Sequence, residues 1–135
     1  MPATTRRLNP DGLTKPPQYS QVVEVSGPVR TVFIAGQLGV DVTGTLVGAP
    51  GDFRAQAAQV FENLKTALAA VGAGFDAVVK LNTYLADTAH MPVLREVRAG
   101  YLSAATLPAS TTIQVSGFAR PGALLEIEAV AVLPL

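Results

Sequence analysis

Two glutamates, Glu126 and Glu128, interrupt an apolar stretch near the end of the chain, in the segment LLEIEAVAV. Side chains alternate along a strand, so both carboxylates share a face with Leu124, Val130 and Val132. A carboxylate on a largely apolar face must be paired, hydrogen-bonded or kept protonated. The pattern is typical of a general acid or base in a cleft between subunits. The alternative is a structural ion pair with an arginine across an interface, which is the more favoured interpretation for Glu128.

A second group of candidates consists of small or aromatic residues. Tyr19 comes just before the first long strand, where its phenol could border a pocket or close the edge of the core. Gly36 lies inside a predicted strand, which indicates close approach by a ligand or a neighbouring subunit. Ser110, Thr111 and Thr112 have hydroxyl side chains at positions where a core strand would have large apolar ones. What these three residues face is left open by the local pattern.

Charged residues supply a third group. Arg95 and Arg98 lie in a predicted helix and could reach a cleft as anion anchors, although solvated or interface charges are the alternative. His90, at the start of this helix, has no local carboxylate partner and is predicted to lie on the surface. Asp41 and Asp52 flank a glycine-rich loop that matches no phosphate or calcium motif, so we expect turn and capping roles for them.

The scaffold for these candidates follows from hydrophobic periodicity. Apolar residues recur at helical spacing in two stretches and at strand spacing in the others. The predicted elements are strands at 21–27 and 31–39 joined as a hairpin, a helix at 52–71, a strand at 77–87, a helix at 91–102, and strands at 110–118 and 123–133. This order predicts an α+β fold, organised as a single domain over residues 1–135, with two helices on one face of the sheet.

The composition predicts an oligomer. Hydrophobic residues make up 49% of the chain and charged residues only 15%, so a monomer would have few charges to cover its surface. The last strand is apolar on both faces, and two helices cannot cover both. The uncovered face packs most simply against copies of itself, which predicts a symmetric homo-oligomer with clefts between subunits.

Charge and residue usage exclude several classes of function. Ten basic residues balance ten acidic ones and only three are lysines, so no nucleic-acid partner is expected. The absence of cysteine and the single histidine exclude thiol catalysis and a Cys- or His-rich metal site within one chain. No signal peptide and no apolar run of about 20 residues is present, so we expect a cytoplasmic protein without a membrane partner.

Taken together, several segments resemble the Rid family of reactive intermediate deaminases, also called YjgF or L-PSP proteins. The segments are PPQYSQ, FIAGQLGVD, QAAQVFENLKTALAAVGAG, VVKLNTYLAD, PASTTIQVSGF and LLEIEAVAV. The resemblance implies a chorismate-mutase-like fold with a mixed sheet, assembled as a homotrimer with ligand sites at the subunit interfaces. In deaminating members, water adds to an imine or enamine derived from an amino acid, and a keto acid and ammonia are released. No metal or organic cofactor is implied.

The resemblance also implies roles for individual residues. Tyr19 matches the family tyrosine at the pocket, and Gly36 matches the glycine that follows the pocket serine. Glu126 matches the glutamate that is thought to activate water. Thr112 stands at the position whose backbone lines the site.

Three positions depart from the family pattern. The arginine that holds the substrate carboxylate is replaced by Ser110, the pocket serine by Ala35, and the helix asparagine by Arg95. The chain therefore resembles a Rid subgroup that lacks the carboxylate-binding arginine, and we expect altered substrate selectivity. Whether Arg95, Arg98 or Arg120 from a neighbouring subunit replaces the missing arginine is left open.

Two functions from different classes fit this pattern. The first is a hydrolase or deaminase that acts on an imine, an enamine or a related reactive amine metabolite. The alternative is a trimer of the same fold that binds a metabolite without turning it over. A ribonuclease, an older label within the family, is less favoured because the chain is neutral and poor in lysine.

Overall fold

The computed structural model describes residues 2–135, and it confirms the α+β class and both predicted helices. The main elements are β1 (Thr4–Leu8), β2 (Val22–Ser26), β3 (Val29–Gln37), α1 (Phe53–Ala69), β4 (Val78–Leu85), α2 (Met91–Ala99), β5 (Ala109–Gln114) and β6 (Leu125–Pro134). The predicted bounds agree to within a few residues, except that β1 was not predicted.

Four strands form one mixed sheet in the order β3-β6-β4-β5. β6 runs antiparallel to both β3 and β4, whereas β4 and β5 are parallel. A parallel pair needs a crossover connection, and α2 supplies it between β4 and β5. This connection brings the start of β5 next to α2.

The core lies between the helices and one face of this sheet. Asp52 caps α1, because its side chain accepts a hydrogen bond from the backbone N–H of Ala55 at 3.0 Å. The helix ends shortly before Gly72, whose φ of +77° favours glycine. The buried face of α1 meets alternate residues of β6, namely Leu125, Ile127, Ala129 and Ala131. The predicted capping role of Asp52 is confirmed.

The opposite face of the sheet is not covered by either helix of the described chain. It presents Phe33, which is 80% exposed, and Ile113, which is 47% exposed. Between them lie the half-buried residues of β6, which are Glu126, Glu128, Val130 and Val132. The prediction that β6 has two partly apolar faces, of which the helices cover one, is confirmed. We call this uncovered surface the open face.

The hairpin predicted between residues 21–27 and 31–39 is wrong. β2 pairs with β1 in a separate two-stranded sheet, while β3 pairs with β6. At the junction Gly27 has a φ of +91°, and Pro28 has no N–H to donate to a ladder, so the chain changes direction there. β1 shows no apolar alternation in the sequence because its strand is largely exposed and polar.

Candidate functional site

The sequence-predicted site residues lie in two groups on opposite faces of the four-stranded sheet. Ser110 and Thr112 of β5 pair side by side with two buried residues of β4, so they face the helices. Glu126 and Glu128 alternate with the buried residues of β6 and lie on the open face. β4 separates β5 from β6. One ligand therefore cannot contact both groups within a single chain.

The first group lines a cavity of about 230 Å³ between α2 and the start of β5. Tyr19, Arg95, Ser110 and Thr112 all contribute to its wall. The structure thus brings together four residues that the sequence proposed as substrate-binding. We call this space the helix-side cavity.

Tyr19 is held beside β5 by its neighbour in the chain. The backbone N–H of Ser20 donates to the carbonyl of Pro108 at 2.9 Å, and its hydroxyl donates to the carbonyl of Leu107 at 2.7 Å. Ser20 itself is buried. These two hydrogen bonds fix the segment that carries Tyr19 against the residues that precede Ser110.

Arg98 is the most unusual residue of the helix-side cavity. Its guanidinium is buried beside Ser110, where Nη1 donates to Oγ at 3.3 Å, and Nη2 donates to the carbonyl of Gln18 at 2.8 Å. Nε is also buried and has no hydrogen-bond partner within residues 2–135. Burial lowers the pKa of Arg98 from its usual value. The sequence left Arg98 as an anion anchor or as a solvated or interface charge, and its burial excludes the solvated position.

On the open face, Glu128 is held by two neutral donors of β4. Tyr84 donates its hydroxyl to Oε1 at 2.8 Å, and Asn82 donates its side-chain N–H to the same oxygen at 3.1 Å. The hydrogen bond to Glu128 raises the pKa of Tyr84, and desolvation and the charges of Glu128 and Glu126 add to it. The carboxylate of Glu128 is therefore committed to structure within its own chain.

Glu126 has a different environment. No hydrogen-bond donor to its carboxylate is found among the described residues, and the side chain extends over Gly36 of β3. A Cβ at Gly36 would overlap Oε1 of Glu126 and lie only 2.8 Å from its Cδ. The close approach that the strand glycine predicted thus comes from this carboxylate of the same chain. A ligand or a neighbouring subunit is not needed to explain it.

Tyr84 and Asn82 were missed as members of the site. They occupy alternate positions of the segment VVKLNTYLAD, opposite the buried side chains of β4, so the alternation was a usable signal. Their partner was not visible in the sequence, because it depends on the register that places Asn82 directly opposite Glu128.

Several other candidates have local structural roles. Asp41 accepts hydrogen bonds from the backbone N–H groups of Thr43 and Thr45, which confirms its predicted turn role. His90 is not a free surface side chain, because its ring stacks on Phe53 with centroids 4.3 Å apart. Within the described chain, Arg120 donates to the carbonyl of Gly44, away from the helix-side cavity.

Two wider features of residues 2–135 bear on the site. No group of three or more His, Asp or Glu side chains there could hold a metal ion. Over the same residues, no helix has both the length and the apolar character that crossing a membrane requires.

Comparison with known proteins gives a consistent set of relatives. The family described as Endoribonuclease L-PSP matches residues 13–133. Protein DfrA of Myxococcus xanthus is 41% identical over 114 residues, which cover 84% of each chain. The 2-iminobutanoate/2-iminopropanoate deaminase of Mus musculus is 40% identical over 115 residues, covering 84% of this chain and 80% of that protein.

Among solved structures, a conserved Rid-family protein of unknown function from Yersinia pestis, YyfB, superposes with a TM-score of 0.84. It is 37% identical and the match covers 96% of this chain and 98% of that one. The Yersinia structure shares the fold of the chain, and all three relatives match most of its length.

Proposed function

The chain belongs to the L-PSP family, also called the Rid or YjgF family, and on that premise we propose that it is a hydrolase that releases ammonia from small imines or enamines. The name of the mouse relative, a 2-iminobutanoate/2-iminopropanoate deaminase, supports this reaction class. The observation that carries the proposal is the contrast between two carboxylates. Within the part of the chain that the structure describes, Glu126 has no hydrogen-bond donor, whereas Glu128 on the same strand has two.

Glu126 acts in this proposal as the general base. Its substrate is the protonated imine. Glu126 takes a proton from water while the water oxygen bonds to the imine carbon, and the electron pair of the C=N bond moves to nitrogen, which gives a neutral carbinolamine. The same carboxyl then returns its proton to the amine nitrogen. The carboxylate finally takes the hydroxyl proton as the C=O bond forms and the C–N bond breaks, and ammonia leaves. An enamine is first protonated at carbon to give the imine. Hydrolysis changes no oxidation state, so no redox cofactor is required.

The complete site, as we propose it, lies in a cleft between subunits of a homotrimer, with each subunit formed by residues 1–135 as one domain. The support is geometric. The helix-side cavity and Glu126 lie on opposite faces of one sheet, and Phe33 leaves apolar surface exposed on the open face. Packing the open face of one subunit near the cavity of the next would bring both groups to one ligand.

The proposed substrate selectivity differs from that of relatives with the usual arginine on β5. Ser110 offers a neutral hydroxyl at that position, Ala35 removes a hydroxyl, and Arg95 adds a positive charge. Because charged hydrogen bonds are about twice as strong as neutral ones, these changes are expected to alter how the substrate is held.

A pair of matched variants tests the role of Glu126. Glu126→Gln keeps the shape of the side chain but removes the base, and we expect ammonia release from 2-iminobutanoate, generated in situ, to fall by about 10²-fold or more. Glu128→Gln makes the same change two residues away, and its amide oxygen can still accept from Tyr84 and Asn82. We expect it to retain most of the activity. Equal losses in the two variants would contradict the assignment.

The alternative, a metabolite-binding trimer without turnover, is supported by the helix-side cavity, which is formed within one chain without Glu126. Thermal shift against a metabolite set, measured beside ammonia release from a panel of imines, separates the two functions. Stabilisation by a ligand with no turnover of any imine would favour binding alone.

A further inference from the structure

Among residues 2–135, no carboxylate neutralises the buried positive charge of Arg98. Only 9% of the residue is exposed, and the two acceptors of its guanidinium, the hydroxyl of Ser110 and the carbonyl of Gln18, are both neutral. The salt bridges of residues 2–135 involve other arginines and a lysine. A buried cation without an anionic partner is costly, so such a residue needs a reason to be retained.

The helix places this charge beside the position where the family pattern has its strand arginine. Leu94 and Arg98 are four residues apart on α2, and both are buried on its inner side. That geometry points the guanidinium toward Ser110 of β5. A serine there leaves space that a longer side chain on β5 would occupy.

The surroundings of the guanidinium match a small organic acid. The residues lining the helix-side cavity include Arg95 and Arg98 but no Asp or Glu, so the only formal charges on its wall are positive. Met91 and Leu94 supply apolar contact on the same wall. Nε is too deeply buried for a ligand to reach, which leaves the Nη groups to meet an anion.

We propose that Arg98 is the anion-binding residue of the helix-side cavity, where α2 supplies the carboxylate contact that β5 no longer provides. The ligand is a small carboxylic acid whose carboxylate accepts hydrogen bonds from the Nη groups and whose apolar part packs on Met91 and Leu94. Arg95, exposed at the same cavity, adds a weaker attraction. This inference rests on the proposed function only in taking the cavity as the ligand site.

The experiment compares two stable probes of nearly equal shape, 2-oxobutanoate and the neutral 2-oxobutanamide, by calorimetric titration of the full-length protein. We expect the wild type to bind the acid about tenfold or more tightly than the amide, because charged hydrogen bonds exceed neutral ones. Arg98→Met should bring the ratio of the two dissociation constants close to one. Arg30→Met removes an exposed arginine outside the cavity and should leave the ratio unchanged.

A second variant keeps the test decisive if Arg98→Met does not fold. Arg98→Gln removes the charge but retains an N–H donor for the carbonyl of Gln18, and it should also lose the preference for the acid. A purely structural role predicts that binding of acid and amide weakens in parallel. A wild type without preference for the acid, or a preference that survives in the folded Arg98 variants, overturns the inference.

The outcome separates this inference from the proposed reaction. Binding of the stable probes requires no turnover. A protein that prefers the acid through Arg98 but hydrolyses no imine would support the role of Arg98 and contradict the proposed hydrolase activity. Conversely, a protein that hydrolyses imines but shows no preference for the acid would support the hydrolase activity and contradict the role of Arg98.

Discussion

The helix-side cavity and the centre of the open face differ in the sign of their charge, and Lys80, which donates to Thr111, lies on the open face nearer its β5 edge. The cavity wall carries Arg95 and Arg98 and no acid, whereas the centre of the open face carries Glu126 and Glu128. The net charge of the chain is zero, so composition conceals this separation. The proposed anion-binding arginine and the proposed base are thus kept apart by the sheet itself. Only contact between subunits could bring them to one substrate, which makes assembly part of the proposed chemistry.

Separation of the subunits should have the largest effect on activity. Phe33 is 80% exposed in one chain, so Phe33→Asp should leave the subunit folded while it places a charge in the proposed interface. We expect light scattering to show a change from three chains to one, with loss of nearly all imine hydrolysis. Val42→Asp, at a fully exposed loop position, is the control and should remain trimeric and active. A wild type with the mass of one chain would contradict the trimer.

Mixing two variants tests whether one site draws on two chains. Glu126→Gln and Arg98→Met are refolded together in equal amounts. In this mixture half of the chains carry an intact Glu126 and the other half an intact Arg98. If each site takes the carboxylate from one subunit and the arginine from its neighbour, each group is intact at a given site with a probability of one half. About a quarter of the sites are then complete, and activity near a quarter of wild type is expected. If both groups came from one chain, the mixture would show only the mean activity of its parents.

Gly36→Ala tests the position of the proposed base with a smaller perturbation. Its Cβ would overlap the carboxylate of Glu126, so that side chain must move, and a shift of about 1 Å can reduce a rate by ten- to a hundredfold. The fall should appear in kcat, with the trimer intact. Gly100→Ala is the matched control, because its Cβ meets ordinary contact distances at a φ of −76°. Similar activity in both variants would indicate that Glu126 need not lie over β3.

The elements that the sequence predicted well have local causes. The bounds of α1 follow from helical spacing of apolar residues and from the cap at Asp52, and both are properties of one continuous segment. The two faces of β6 follow from alternation within ten residues. By contrast, the pairing of β2 with β1 depends on a turn at Gly27 and on a strand without an apolar pattern. Such a choice between partners is not encoded in either strand alone.

The site residues also divide into those that a continuous segment of sequence predicted and those that depend on how the elements pack. Glu126 and Tyr19 were proposed from the local pattern and from the family resemblance, and Ser110 because it departs from that family pattern. Arg98 shares the buried side of α2 with Leu94. The contact between Arg98 and Ser110 could not be predicted from the sequence, because it depends on how far α2 lies above β5. The register between β4 and β6, which decides which of the two glutamates receives hydrogen bonds, was equally hidden.

Tyr84→Phe removes a donor to Glu128 and leaves Glu126 unchanged, and it should have the smallest effect on activity. The hydroxyl donates to Glu128 at 2.8 Å, and this bond raises the pKa of Tyr84 above its ordinary value of 10.0. Because the folded state holds this proton more tightly, the stabilisation is present below pH 10 and is lost as pH rises through the folded pKa.

We therefore expect Tyr84→Phe to lower Tm slightly at neutral pH, and to show a shallower fall of Tm above pH 10 than the wild type. Tyr101, whose pKa is raised to about 12 by its bond to Glu62, is present in both proteins, so its contribution cancels in the difference. Since Glu128 is not the proposed base, kcat should change little. A loss of kcat as large as that of Glu126→Gln would transfer the catalytic role to Glu128.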